Sequence, residues 1–143
     1  MVPLALAHLF VRWLHVLGVA VAVGGAALTW AVGRRSAPGE ASLAVATVYE
    51  FAFWAALGTL VMTGVGNLGA FTPSLPRGRW GATLTLKLLL VAAILLLSAV
   101  RTAVVVAWRQ RSAPDKTALE RGYAATTLSL VAVVALGEVL AHG

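Results

Sequence analysis

The chain has 143 residues and a formal net charge of +6, with 60% hydrophobic and only 11% charged residues. Its mean hydropathy is +0.91, whereas soluble domains carry roughly 25% charged residues, so the composition excludes an ordinary soluble protein and points to a membrane. No cysteine is present, which excludes disulfides, thiolate metal sites and haem attachment through C-x-x-C-H and leaves nitrogen, oxygen or thioether ligands for any metal.

A hydrocarbon core of ~30 Å needs roughly 20 apolar residues per helical span. Four such runs occur, at 4–32, 43–68, 82–108 and 119–141. The expected fold is all-α: an integral membrane four-helix bundle, one transmembrane domain over residues 1–143, built from two tandem antiparallel hairpins. The first run lacks a basic residue ahead of its apolar stretch and is too long for a signal peptide.

The first span carries His8, Arg12 and His15, spaced i, i+4, i+7 and so on one helical face. His15 lies about 16 Å below Leu4 by helical rise. A charge at the bilayer centre costs on the order of 3 kcal/mol, so these groups are expected to face the bundle or a wet cavity. Gly18, Ala22 and Ala26 form a stripe of small residues suited to close helix contact.

The loop that follows reads "RRSAPGEASL", and the one after the third span reads "RQRSAPDKTAL". Arg-Ser-Ala-Pro recurs at an offset of 76 residues, with a leucine five positions beyond each proline. That recurrence favours two tandem hairpins. In the second span Glu50 lies toward the first of these loops and Asn67 toward the other end. The stretch "LGAFTPSLPRGRWG", residues 68–81, is rich in glycine and proline and reads as an external loop. The third span opens with Lys87 and closes beyond Arg101. The fourth ends with Glu138 and His142.

The two Arg-Ser-Ala-Pro loops carry Arg34, Arg35, Arg109, Arg111, Lys116 and Arg121, against Arg77 and Arg79 in the remaining loop. Positive-inside counting therefore places both termini outside the cytoplasm, in a multi-pass protein of the inner (plasma) membrane. The basic balance is topological, and no nucleic-acid partner is expected; the lipid bilayer is. Trp30, Trp108 and Tyr123 fall at the expected inner boundary and Trp80 at the outer one, where aromatic belts sit.

Ranking polar residues by depth gives two layers. Glu50 and Arg101 share one level toward the cytoplasm and are expected to pair, as a structural clamp between hairpins or as part of a proton path. His8, Arg12, Asn67, Lys87, Glu138 and His142 share the outer turns. There Arg12 and Lys87 set two positive charges against the carboxylate of Glu138, so an anionic ligand such as a haem propionate or a lipid phosphate would balance the excess. The plainer reading is that Arg12 and Lys87 snorkel to the headgroups and that His8 and His142 are solvated imidazoles. His15 is too deep to snorkel far, and a hydrogen bond to another helix accounts for it as well as a metal does.

Trp13-x-His15 followed by Gly24-Gly25, then Thr63-Gly64, "LKLLLV" containing Lys87, and Arg101 resembles the copper-resistance D (CopD) membrane domain and the related four-span HemJ family, across nearly all four spans. The resemblance implies haem b ligated by His15, a required Lys87, and oxidoreductase chemistry. Ala22 and Val23 stand where many CopD-like domains have tryptophan, and Leu97-Ser98 stands where HemJ-like proteins often have Tyr-His. Three readings follow. The first is a haem b protein serving redox chemistry or electron transfer, with His15, His8, His142, Arg12, Lys87 and Glu138 around the cofactor, alone, as a homo-oligomer or with a redox partner protein. No second histidine shares the level of His15, so a haem there would be five-coordinate or completed by another group. The second is copper transport with His8, His15 and His142 as metal ligands, and the third a cofactor-free accessory subunit.

Overall fold

A computed structural model of the chain describes residues 4–35, 40–69, 78–111 and 116–142. Four helices make up almost all of them: α1 (Leu4–Arg35), α2 (Glu40–Gly69), α3 (Arg79–Arg111) and α4 (Lys116–His142). All five prolines fall outside these ranges, where a residue without an N–H does not interrupt helical hydrogen bonding. Each helix contains a stretch long and apolar enough to cross a membrane: Leu6–Arg35, Ala41–Gly64, Arg79–Gln110 and Lys116–Leu140. Large apolar side chains are exposed on every helix, with Leu9 at 63%, Phe51 at 82%, Leu96 at 72% and Leu128 at 72%. Such an exterior is untenable in water and ordinary against lipid. The chain is a multi-pass, all-helical membrane protein.

The helices begin or end a few residues outside several of the apolar runs. Part of the expected external loop is helical: α2 continues through Gly69 and α3 starts at Arg79. Residues 70–77 between them lie outside the described residues. Gly78 adopts φ of 89°, a left-handed conformation that costs glycine little, and its carbonyl accepts the Ala82 N–H at 3.0 Å to open α3. The recurrence seen in sequence extends to the helix boundaries. Arg35 and Arg111 end α1 and α3, Glu40 and Lys116 begin α2 and α4, and each pair is separated by the same 76 residues.

α1 packs on both α2 and α4, and α3 packs on α4; α2 and α3 also touch, but more sparsely than the other three neighbouring pairs. The cause is side-chain size. Gly18, Ala22 and Ala26 are all buried, and a Cβ added at Gly18 would meet Leu60 Cγ at 3.1 Å, so α1 and α2 come together through small residues. The α2–α3 seam is instead held apart by long side chains, among them Phe53, Trp54 and Arg101, whose guanidinium lies 4.7 Å from the Phe53 ring centre. The buried core runs from Ala22 and Ala26 through Tyr49 and Phe53 to Ile94, Val105, Leu119, Tyr123 and Leu130.

Candidate functional site

Among the described residues the most heavily bonded polar groups are the Arg101 guanidinium of α3 and the Glu50 carboxylate of α2, which is 5% exposed. Arg101 of α3 grips it with a two-pronged fork, Nε donating to Oε1 at 2.6 Å and Nη2 to Oε2 at 3.1 Å. Tyr123 of α4 donates its hydroxyl to Oε1 at 3.0 Å, and Thr102 lies 2.6 Å from Oε2. The Thr102 hydroxyl has one proton and two acceptors in range, the carboxylate and the Ser98 carbonyl at 2.8 Å; the charged acceptor forms the stronger bond. Its oxygen also accepts the Trp54 indole N–H at 3.0 Å.

The remaining guanidinium nitrogen of Arg101 donates to Thr126 at 2.6 Å and reaches Ser98 Oγ at 3.4 Å. Glu50 and Thr126 are 76 residues apart, the same offset that separates the two Arg-Ser-Ala-Pro stretches, and Arg101 joins them. The rings of Tyr49, Phe53 and Tyr123 lie within 4.7–5.3 Å of the cation, close enough for cation–π attraction. Tyr49 also donates to the Ala22 carbonyl at 2.9 Å, which brings α1 into the assembly. Among the described residues every buried side-chain nitrogen and oxygen has a partner. Glu50 and Arg101, expected to pair from their shared depth, do pair. Tyr123, expected in the inner aromatic belt, is instead 3% exposed and turned inward, because the carboxylate two helices away needs a donor.

A small cavity of about 30 Å³ adjoins this network, bounded by Thr29, Ser42, Lys116, Glu120 and Tyr123. It has room for a water molecule.

The second polar layer, nearer the chain termini, is sparser. His15 is half-buried, and its Nδ1 lies 2.8 Å from Thr63 Oγ1 of α2. The Thr63 hydroxyl already has backbone acceptors, Thr59 O at 2.8 Å and Leu60 O at 3.2 Å. With the hydroxyl proton on one of these carbonyls, its oxygen accepts from His15 Nδ1–H and His15 Nε2 keeps its lone pair. Lys87 is half-buried and within electrostatic reach of His15. Its Nζ lies where a Cβ at Gly137 would be only 3.2 Å away, so the ammonium rests against α4 one residue before Glu138.

His8, Arg12 and Glu138 are exposed. The side chains of Asn67 and His142 lie outside the described residues. Among the described residues no three His, Asp or Glu side chains come together as a metal-binding group. The structure thus brings His15 and Thr63 into contact, sets Lys87 against α4 at Gly137, and leaves His8 and Arg12 exposed on the His15 face of α1. In sequence Thr63 stands out only as part of a Thr-Gly pair; its contact with His15 depends on how α1 and α2 are rotated.

Compared with protein-family models, curated proteins and solved structures, the chain matches none.

Proposed function

We propose that the chain is a small haem b-binding protein of the CopD/HemJ type in the inner (plasma) membrane, with two tandem antiparallel hairpins and both termini extracytoplasmic. It serves redox chemistry or electron transfer in the outer half of the bilayer. The observation that carries this reading is the anchoring of His15 Nδ1 by Thr63, 2.8 Å away. Metal-ligating histidines have their other ring nitrogen fixed in this way, which sets the tautomer and aims the free lone pair. The donor chemistry therefore fits a haem held through His15 Nε2, with Lys87 as a cation for a propionate. Haem would supply a one-electron couple; the chain would supply the imidazole, its orientation and a positive charge nearby.

The optical spectrum of detergent-purified protein tests this. A Soret band that shifts on dithionite is expected, with His15→Ala abolishing it and Thr63→Val lowering haem retention about 10- to 100-fold. Copper by elemental analysis without a Soret band would replace this reading with copper transport through His8, His15 and His142.

A second reading, a cofactor-free accessory subunit, is favoured by one observation: the Glu50–Arg101 network is saturated by the chain's own donors and acceptors. A colourless, metal-free protein from haem-replete cells would establish it over the first.

A further inference from the structure

A groove of about 330 Å³ opens between α3 and α4 on the outside of the bundle. One wall is a single face of α3, formed by Leu97, Val100 and Val104 at i, i+3, i+7. The other comes from α4, where Gly122 and Ala125 present little side chain. The floor at Gly122 is the methylene stem of Arg101, whose Cγ lies 3.5 Å from where a Cβ would be. The head of Arg101 is turned away into the bundle, toward Glu50 and Thr126, so the groove itself is apolar. From Val104 to Leu97 it follows α3 for about 10 Å.

At its polar end stands Arg121, which lines the groove and is exposed. Lys116 at this end pairs with Glu120 at 3.6 Å and Arg34 lies over the Trp30 ring at 5.2 Å, while Arg109 is exposed but does not line the groove. Arg121 makes no hydrogen bond or ion pair among the described residues. It lies five residues into α4, about 7.5 Å along the axis, at the depth of lipid headgroups for a helix that starts at the membrane surface. An apolar trough leading from a cation at headgroup level toward the bilayer centre has the chemistry of one amphiphile. We propose that this groove binds a single anionic phospholipid, its phosphate on Arg121 and an acyl chain along Leu97, Val100 and Val104.

The proposal does not depend on any cofactor, and native mass spectrometry of the full chain in detergent tests it with phosphatidylglycerol and phosphatidylcholine as probes. The wild type is expected to retain one phosphatidylglycerol in preference to phosphatidylcholine. Arg121→Gln should weaken that retention about fivefold, the effect of one basic residue at an anionic surface. Val100→Trp, at a position 63% exposed, should fill the trough and reduce retention of both lipids. Arg109→Gln, exposed at the same end but outside the groove, should leave retention unchanged, with circular dichroism confirming that all variants are folded. Equal losses for Arg109→Gln and Arg121→Gln, or no headgroup preference in the wild type, would overturn the proposal. So would a dimer that Val100→Trp dissociates, since the occupant would then be a second copy of the chain.

Discussion

Replacing Arg101 with leucine is expected to destabilise the bundle by about 3–5 kcal/mol, the usual penalty for leaving a buried charge without its partner. Arg101 is 3% exposed and Glu50 5%, so water cannot take over the vacated bonds. Tyr123 and Thr102 would still donate to the carboxylate, but neither carries charge, and Thr126 would lose the donation it accepts at 2.6 Å. Removing the carboxylate as well, in Glu50→Leu/Arg101→Leu, should restore much of the loss, because a pair taken out of the interior together leaves no unbalanced charge behind. Thermal unfolding in detergent, followed by the monodisperse fraction, reads the double-mutant cycle. An Arg101→Leu variant as stable as the wild type would remove the clamp from the account. The half-exposed Lys116–Glu120 pair gives a contrast: at 3.6 Å and partly solvated, Lys116→Ala should cost about 0–1 kcal/mol.

That clamp was legible in sequence because one number, the helical rise, predicts depth without knowledge of rotation. Glu50 and Arg101 share a level, and among the described residues no other buried charge competes for them. The small-residue stripe of α1 was legible for a related reason: Gly18, Ala22 and Ala26 repeat at intervals of four, and only one face can hold them. Hydroxyl groups gave no comparable signal. Thr29, Thr47, Thr59, Thr83, Thr85 and Thr127 each donate to the carbonyl four residues before, the ordinary solution for a threonine in a helix. Thr102 and Thr126 look the same in sequence and differ only in what approaches them from another helix. Tyr123 was misplaced because a tyrosine two turns into a span is at belt depth; whether it points outward depends on helix rotation. The same missing variable limits the outer layer. An i, i+4, i+7 face is broad enough to include both the seam, where His15 meets Thr63, and the rim, where Arg12 is exposed.

Gly25 carries the second large expected effect. A Cβ at this position would lie 2.7 Å from both Cδ2 and Cε2 of Tyr49, a distance at which the ring or the helix must move. The ring has little freedom to do so. It is 5% exposed, stands edge-on to Tyr123 at a centroid distance of 5.6 Å, borders the Arg101 cation, and is tethered by its hydroxyl to the Ala22 carbonyl. Gly25→Ala is therefore expected to destabilise by about 1–3 kcal/mol, the range for overpacking a filled core. The adjacent Gly24→Ala meets nothing within 4 Å and should be neutral or slightly stabilising, since alanine favours a helix by ~1 kcal/mol over glycine. The sign of the difference between neighbours is what unfolding measurements on the two variants would read. Combining Gly25→Ala with Tyr49→Leu removes the obstructing ring edge, so the pair should cost less than the sum of the single changes. If the costs simply add, Tyr49 is not seated against Gly25, and the contact between α1 and the polar assembly lies elsewhere.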